Sequence, residues 1–363
     1  MKKGGKIAKN VMVVFSVCIC IWCVAVKVSG VPPQEGMNVF LYLAGLEQNT
    51  GGGTENGGKT GLESEKITHG SENMYLMEDD GIVPFHQGDF PSPSETPDPQ
   101  RQSLPVEEIV ADGGSQIDNF FVKDTTGSGT DLVAALNEMP DVNIKGNGEV
   151  EVLLYHTHTS ESYMENFSGF YYTDMQTRTK NEEMSVVAVG EEIKKELESA
   201  GIGVIHDTTI NDTMFNGSYS RSWEVLQKNL QEHPSIQITI DIHRDSMTTQ
   251  EGIKYKPTAD VDGRKAAQIM IMAGCDESGE WGDFPDWYQN LKLALRVQQR
   301  ASAMYPQMMR PMNFSNSKYN MNATHGSLLI EVGTEVNTIS ESRYSGKLIG
   351  KVLADLLPEL KQE

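Results

Sequence analysis

The chain has 363 residues and a formal net charge of −21 at pH 7. So acidic a chain lacks the basic surface that nucleic-acid binding requires, and its length allows two domains. Of its four cysteines only Cys275 lies outside the first thirty residues, so it has no partner for an intrachain disulfide. We expect Cys275 to be a small buried hydrophobic residue.

The first thirty residues have the pattern of a membrane anchor. Four of the first nine residues are lysines, and they precede an apolar run over residues 11–26 that Lys27 closes. That length is close to the ~17–25 residues that span a bilayer, and the lysines favour a cytoplasmic N-terminus. A signal-peptidase site is poor at residues 25–27, although one at 28–30 is conceivable. We predict that residues 1–30 are a cytoplasmic tail and a single uncleaved transmembrane helix, with the remainder extracytoplasmic.

The next segment has the composition of a linker. Residues 37–46 are predicted to form a short amphipathic helix near the membrane. Residues 48–116 are rich in Gly, Ser, Thr, Pro, Glu and Asp and contain few residues that could form a core. Such a composition favours an acidic, disordered tether over the alternative of a loop-rich second domain. We assign residues 31–141 to a juxtamembrane segment and this linker, and residues 142–363 to the catalytic domain.

Strands and helices alternate along the last 220 or so residues. The predicted strands cover residues 149–155, 203–206, 236–243, 267–273 and 327–332. The predicted helices cover residues 183–200, 220–233, 287–305 and 338–360. The first helix shows the helical spacing of apolar side chains, and Gly201 follows it as a stop signal. This order predicts an α/β domain: a mixed, mostly parallel sheet flanked by helices.

Three of the predicted strands lead to side chains that bind metals or transfer protons. His158 and Glu161 follow the first strand, and His243 ends the third. Sites in open α/β sheets form at the carboxyl ends of strands, so these residues should meet. Two imidazoles and a carboxylate around one open position are the ligands of a catalytic zinc. We therefore predict a Zn²⁺ site held by His158, Glu161 and His243.

Charged residues also surround the other strand ends. Arg244 follows His243. We predict that its planar guanidinium binds a carboxylate of the substrate or a developing oxyanion. Asp245 could orient a ligand imidazole. Glu331 lies in the last strand and is predicted to be the general base, because burial would raise its pKa. Two alternatives remain. Glu331 could instead form a salt bridge to Arg244, or Glu335 could be the general base.

The other histidines have less definite contexts. His156 shares a strand face with His158 if the pleat continues, so it is a possible proton donor or oxyanion stabiliser. His325 precedes the last strand and is predicted to be structural or to lie at the rim of the site.

Five separated motifs resemble the stage II sporulation protein P family. They are HTHTSESY at residues 156–163, GIGVIHD at 201–207, SYSR at 218–221, DIHRDS at 241–246 and LLIEVG at 328–333. The resemblance covers about residue 142 to the C-terminus, together with the N-terminal anchor. It implies a zinc N-acetylmuramoyl-L-alanine amidase fold, with a sheet flanked by helices, and cleavage of the amide between glycan strand and stem peptide. It also implies endopeptidase activity on peptide cross-links.

The resemblance further implies where the protein acts and which residues carry the reaction. The family works between mother cell and forespore during engulfment, with sporulation proteins D and M as partners. Its zinc histidines correspond to His158 and His243, and its catalytic glutamate to Glu331. In broader amidases a glutamate that opens the first helix is the third ligand, which here would be Glu182 or Glu183. Glu161 is preferred because it lies within the sporulation-specific motif.

The sequence thus predicts a membrane-anchored zinc amidase that acts on peptidoglycan. Two other functions remain open. One is a zinc carboxypeptidase or endopeptidase that acts on stem peptides alone. The other is a degenerate, non-catalytic module that binds the wall, although such a module would have no chemical reason to keep a full set of zinc ligands.

Overall fold

A computed structural model of the chain describes residues 68–69 and 96–361. The described residues belong to one structural unit, residues 64–363. The predicted anchor, the predicted juxtamembrane helix and most of the predicted linker lie outside the described residues. Among the residues that are described, no helix is long and apolar enough to cross a membrane.

The secondary structure follows the predicted α/β order. The strands are β1 Thr68–His69, β2 Ser103–Ile109, β3 Ser115–Ile117, β4 Phe120–Asp124, β5 Val150–Tyr155, β6 Phe170–Tyr172, β7 Gly203–His206, β8 Ile238–Asp245, β9 Met247–Thr248, β10 Lys254–Val261, β11 Arg264–Ala267, β12 Ile269–Gly274, β13 Met312–Ser315 and β14 Gly326–Thr334. The helices are α1 Leu132–Asn137, α2 Val186–Ser199, α3 Ser218–Glu232, α4 Trp287–Met304 and α5 Ile339–Leu356, with 3₁₀ turns at Glu182–Met184 and Leu357–Leu360. All five predicted strands and all four predicted helices are present, with ends shifted by a few residues.

The larger sheet has eight strands in the order β3-β4-β13-β12-β14-β8-β5-β7. Its centre, β14-β8-β5-β7, is parallel, and β12 runs antiparallel to β14. The prediction of a mixed, mostly parallel sheet is therefore confirmed. Every residue of β8 is buried, as expected for a central parallel strand covered on both faces.

Helices cover both faces of this sheet. Side chains alternate along β5, so Val152 and Leu154 pack in the main core with α2, α4 and α5. Leu153 and Tyr155 pack on the other face against Leu226 of α3. The helix α5 begins with a capping box between Thr338 and Glu341, which satisfies backbone groups that a buried helix end would otherwise leave unpaired.

The prediction of a linker through residue 141 is wrong for residues 103–137. The strand β2 pairs in parallel with β10 in a second, six-stranded sheet, and β4 pairs in parallel with β13 in the larger sheet. Val106, Phe120 and Val122 of this segment are all buried under distant parts of the chain. Local composition could not reveal these contacts, so the folded domain begins earlier than predicted.

Candidate metal and active site

A cavity of about 170 Å³ lies where the loop after β5 meets β8 and β14. His158 and Glu161 line it from the loop, and His243 and Glu331 line it from the two strands. His243 and Glu331 are partners in the parallel register of β8 and β14, so they project from the same face. Arg244 lines the cavity too, so the structure brings together all five residues to which the sequence assigned a catalytic or metal-binding role. Both strands continue past these residues, which therefore lie near the strand ends and not at the tips.

His158 is buried without using its hydrogen-bonding groups. It is 3% exposed, and among the described residues neither of its ring nitrogens has a hydrogen-bond partner. Oδ2 of Asp212 lies 4.0 Å from Nδ1, beyond hydrogen-bond range. Burial, together with the positive charges of His243 and Arg178, holds the pKa of His158 well below its usual value. His158 is therefore a neutral imidazole with unused nitrogens, which is the form that binds a metal.

His243 lies beside a carboxylate that the sequence left without a role, within ion-pair distance but without hydrogen-bond geometry. Its Nε2 lies 3.0 Å from Oδ1 of Asp241, which is two residues earlier on the same face of β8. Asp241 is itself held by the backbone N–H and the hydroxyl of Thr157. Burial alone would lower the pKa of His243, but Asp241, Glu161 and Glu331 raise it to about 10. A carboxylate behind an imidazole is a common arrangement around metal ligands.

The side chains of the three predicted zinc ligands are neighbours, but they are not arranged around one metal position. The ring centroids of His158 and His243 are 5.4 Å apart, and Nδ1 of His243 is 3.7 Å from Oε2 of Glu161. Over residues 68–69 and 96–361, no three His, Cys, Asp or Glu side chains are placed to hold a metal ion. The donor chemistry nevertheless fits a metal, because an unpaired neutral imidazole, a second imidazole and a carboxylate line one cavity.

Glu331 has the properties of a proton carrier. It lines the cavity, and its buried Oε2 has no hydrogen-bond partner among the described residues. Burial raises the pKa of Glu331; His243 opposes this shift, while Asp245 and Glu161 add to it, and the result is about 8. A carboxyl group that titrates near neutral pH can both accept and release a proton.

Glu335, the competing base, is instead locked into ion pairs. Its Oε1 accepts hydrogen bonds from Lys254 and from the hydroxyl of Ser246, and Oε2 lies 3.7 Å from Nη1 of Arg244. Burial alone would raise the pKa of Glu335, but Lys254 and Arg244 lower it below its usual value. A permanently charged carboxylate in such a network is a poor proton acceptor, so the geometry favours Glu331.

Arg244 also differs from its expected role. Its Nε donates to the carbonyl of Ser162 at 2.8 Å, and its Nη2 donates to the carbonyl of Thr177 at 2.8 Å. Its Nη1 donates to the carbonyl of Asp245 at 3.3 Å, and its backbone N–H donates to Oε2 of Glu161. The guanidinium therefore ties the segments after β5 and after β6 to β8, and among the described residues it forms no ion pair with Glu331.

A second arginine lines the cavity and was missed by the sequence reasoning. Nη1 of Arg178 donates to the buried carboxylate of Asp212, which also accepts from Ser160. Among the described residues, no hydrogen bond uses Nε or Nη2 of Arg178. Phe215 stacks on His158 at 4.9 Å with the rings nearly parallel. These residues lie in loops without periodicity, so the sequence held no signal for them.

His156 points away from the site. Its Nδ1 donates to the carbonyl of Ile242, and its Nε2 is 2.9 Å from Nε2 of His206. Burial and the neighbouring His206 lower the pKa of His156 to about 3, and burial with Lys194 lowers that of His206 to about 4. The two imidazoles form a neutral, buried pair, so His156 contributes to packing beside the cavity and does not line it.

The remaining candidates lie outside the cavity. Glu183 is exposed and pairs with Arg343, and Glu182 is exposed in the same 3₁₀ turn, so Glu161 is the carboxylate placed beside the histidines. His325 pairs with exposed Asp141, outside the cavity. Cys275 is fully buried, as predicted.

Comparison with known proteins decides the family. The sequence model of stage II sporulation protein P matches residues 71–354. The chain belongs to this family. A curated member, stage II sporulation protein P of Bacillus subtilis (strain 168), is 28% identical over 218 residues, which are 56% of this chain and 50% of the relative. The chain therefore spans about half the length of that curated member.

The solved structures that match this chain resemble it only distantly. The CwlD amidase of Clostridioides difficile, solved with the GerS lipoprotein, has a TM-score of 0.36 at 13% identity, covering 58% of this chain and 98% of that one. The catalytic domain of the amidase CwlV of Bacillus (Paenibacillus) polymyxa has a TM-score of 0.33 at 11% identity, covering 58% and 99%. Scores this low do not establish a common fold or a common activity.

Proposed function

We propose that this chain is a zinc-dependent peptidoglycan hydrolase that cleaves the amide between N-acetylmuramic acid and the stem peptide. Membership of the stage II sporulation protein P family supports a role in the sporulation cell wall. The observation that carries the chemistry is His158: a buried, neutral imidazole with both nitrogens unpaired, beside Glu161, His243 and Glu331. Burying an imidazole in that state is costly unless a ligand satisfies it.

His158, Glu161 and His243 would hold the zinc ion. When bound, zinc polarises the scissile carbonyl and makes a water molecule more acidic. The chain itself positions these donors through fixed contacts. Asp241 lies 3.0 Å from Nε2 of His243, and the backbone N–H of Arg244 holds Glu161 at 3.1 Å. Phe215 packs flat against His158 and limits the rotation of its ring.

Glu331 would transfer the proton. As the attacking water forms a bond to the carbonyl carbon, Glu331 takes the proton that the water loses. As the C–N bond breaks, Glu331 returns this proton to the leaving nitrogen, which departs as the free amine of the stem peptide. The unpaired Oε2 and a pKa of about 8 suit both halves of this exchange.

Arg178 would bind a carboxylate of the stem peptide. The sequence assigned this role to Arg244, and that assignment stays a prediction, but the guanidinium of Arg244 already donates to three carbonyls. Arg178 lines the same cavity, and its Nε and Nη2 are adjacent donors that can bind both oxygens of one carboxylate. Its Nη1 is anchored on Asp212, which keeps the fork in place.

The cellular setting follows the family and the N-terminal pattern. We propose that the chain is anchored by a single span in residues 1–30 and acts in the space between mother cell and forespore during engulfment. Sporulation proteins D and M would be its partners there. Cleavage of peptide cross-links would be a second activity of the same site.

Digestion of purified peptidoglycan tests the proposed reaction. The full-length protein, loaded with zinc, should release stem peptides with new N-terminal alanine and leave lactyl groups on muramic acid. The Glu331→Gln protein serves as the matched inactive control. Trimmed stem peptides without free lactyl groups would indicate a carboxypeptidase or endopeptidase instead. Wall binding without any product would indicate a non-catalytic module.

A further inference from the structure

Tyr219 adds a hydroxyl group to the cavity that the reaction proposed above does not use. It belongs to the segment SYSR at residues 218–221 and lies in the first turn of α3. Its side chain lines the cavity, and among the described residues no hydrogen bond uses its hydroxyl, although its backbone carbonyl accepts from Asn320 and Ser222. An O–H donor without a partner in the cavity wall is available to a substrate.

The ring of Tyr219 stands beside the candidate zinc ligands. It meets the ring of His158 edge-on, with centroids 5.9 Å apart and planes at 84°. Burial raises the pKa of this phenol well above its ordinary value, and the charges of Asp241, Glu331 and Glu161 raise it further. Even an ordinary phenol pKa of about 10 keeps the group protonated at neutral pH. The hydroxyl is therefore a hydrogen-bond donor at the end of the cavity where the metal donors and Glu331 lie.

The loop between β13 and β14 holds Tyr219 in place. Nδ2 of Asn320 donates to the backbone carbonyl of Tyr219 at 2.9 Å and to the hydroxyl of Ser222 at 3.0 Å. The ring of Tyr319 packs against the ring of Tyr219, with centroids 5.5 Å apart. Tyr319 and Asn320 both have positive φ, 42° and 57°, which costs energy for residues other than glycine. A phenol held in one position in this way needs little reorganisation during a reaction.

Arg221, in the same SYSR segment, has a structural task that Tyr219 does not share. Its guanidinium donates to the backbone carbonyls of Asn211, Met214 and Asn216 and so closes the loop that precedes α3. The described contacts of the Tyr219 side chain are instead ring contacts, which Tyr219→Phe would preserve. Packing therefore explains the ring of Tyr219 but not its hydroxyl.

We infer that the hydroxyl of Tyr219 donates a hydrogen bond to the carbonyl oxygen of the scissile amide as negative charge develops on it. The inference rests on the proposed function, which places that amide beside Glu331. When water adds to the carbonyl carbon, the π electrons of the C=O bond move to the oxygen, and a donor placed in advance stabilises this charge. The O–H bond of Tyr219 stays intact, because Glu331 carries the transferred proton.

The two residues for which the sequence predicted an oxyanion role are placed less well. The guanidinium of Arg244 donates to three backbone carbonyls, and His156 is turned away from the cavity towards the carbonyl of Ile242. Tyr219 has neither commitment. The geometry therefore favours this phenol as the donor from the protein to the oxyanion.

Tyr219→Phe tests the role in turnover, because it removes the hydroxyl and keeps the ring. On a soluble muropeptide, kcat should fall by about 10²–10³, the usual effect of removing one oxyanion donor, with little change in KM. Zinc content and Tm of the full-length protein should match the wild type. Tyr305→Phe is the matched control, since the hydroxyl of Tyr305 has no described hydrogen bond and lies outside the cavity. An unchanged kcat in Tyr219→Phe overturns the inference.

Binding of a transition-state analogue tests the same role without turnover. A muropeptide in which a phosphinate replaces the scissile amide presents a tetrahedral, anionic group. By calorimetry, Tyr219→Phe should bind this analogue about 10²–10³-fold more weakly than the wild type does. The intact muropeptide should bind equally to Glu331→Gln and to Glu331→Gln with Tyr219→Phe, because its carbonyl is uncharged. Equal weakening for muropeptide and analogue overturns the transition-state role.

The outcomes separate this inference from the proposed hydrolysis. Binding of the phosphinate that depends on Tyr219, without release of stem peptides, supports the role of the hydroxyl and contradicts the proposed reaction. Release of stem peptides by a Tyr219→Phe protein as active as the wild type contradicts the role and leaves the reaction standing. A wild-type protein that neither binds the phosphinate nor releases stem peptides contradicts both.

Discussion

Glu331 and His243 occupy paired positions on the adjacent parallel strands β14 and β8, and each changes the ionisation of the other. The carboxylate contributes to the raised pKa of His243, and the imidazolium opposes the raised pKa of Glu331. Because both side chains leave the same face of the sheet, a substitution at either position shifts the pKa of its neighbour. Metal content and turnover therefore have to be measured separately on every variant.

Zinc should bind to the full-length protein at about one ion per chain, and a chelator should abolish hydrolysis. His158→Ala and His243→Ala should each lose both metal and turnover, because each removes an imidazole donor. Metal content by elemental analysis and peptidoglycan digestion measure the two effects. His325→Ala is the control, since this side chain lies outside the cavity. A folded His243→Ala protein with full zinc and activity would contradict the ligand assignment.

Glu331→Gln should bind zinc almost normally while turnover falls by about 10²–10⁴, the usual share of acid–base catalysis. The amide keeps the shape of the carboxylate but cannot accept the proton. Glu161→Gln should instead weaken zinc binding, because it replaces a proposed ligand carboxylate. A zinc titration and a turnover assay on both proteins compare them. The reverse pattern would exchange the two roles or move the third ligand to Glu182 or Glu183.

Glu335→Gln should affect stability more than chemistry. This carboxylate is 3% exposed and pairs with Lys254 and Arg244, so the substitution leaves buried cations without their anion. Losing one partner of a buried pair costs about 3–5 kcal/mol. Urea unfolding measures the loss, and the folded fraction should retain turnover within a few-fold. Unchanged stability together with a catalytic loss as large as that of Glu331→Gln would identify Glu335 as the base.

Arg178→Lys should raise KM by roughly tenfold with little change in kcat, because lysine keeps a charge near Asp212 but loses the fork that binds a carboxylate. Arg244→Lys should behave differently. It breaks hydrogen bonds to the carbonyls of Ser162 and Thr177, so its main effect should be a lower Tm. Steady-state kinetics and thermal unfolding on both proteins distinguish them. A KM effect at Arg244 alone would restore the role predicted from the sequence.

Glu108 should make the folded domain sensitive to acid. Burial alone would raise its pKa, but hydrogen bonds and charges from Lys265 and Lys256 lower the pKa from an ordinary 4.5 to about 2. The stabilisation is therefore fully present above about pH 5 and is lost as the pH falls from 4.5 to 2. Glu108→Gln should be less stable than the wild type at pH 7, and the difference should shrink across that window. Glu107→Gln, which removes an unpaired neighbour, should show no such dependence.

Most strands and helices of the domain's second half were predictable from the local spacing of apolar residues. The apolar runs predicted five strands of the domain, among them β5, β8 and β14, which position the site, and helical periodicity predicted α2 to α5. His158, Glu161, His243 and Glu331 were found because each lies at or just after the end of such a run. These are properties of short windows, in which side-chain alternation and spacing directly reflect the faces of strands and helices.

Contacts between segments far apart in the sequence, such as strand pairing, could not be predicted from local spacing. The segment that contains β2 and β4 was assigned to the linker, yet it pairs with both sheets; its partners β10 and β13 lie far along the chain, so no short window of sequence shows the pairing. His206 had no recognisable context until the fold placed it against His156.

The sequence by itself therefore indicated the fold class, the strands that carry the site, and His158, Glu161, His243 and Glu331 among the residues that meet there. Only the tertiary structure decided which charges are already neutralised. Glu335 is paired with Lys254 while Oε2 of Glu331 has no described hydrogen-bond partner, and Arg244 is committed to backbone carbonyls while two nitrogens of Arg178 have no described hydrogen bond. The physical reason is that a side chain's hydrogen bonds and pKa depend on groups brought close by folding, and these groups come from segments remote in the sequence.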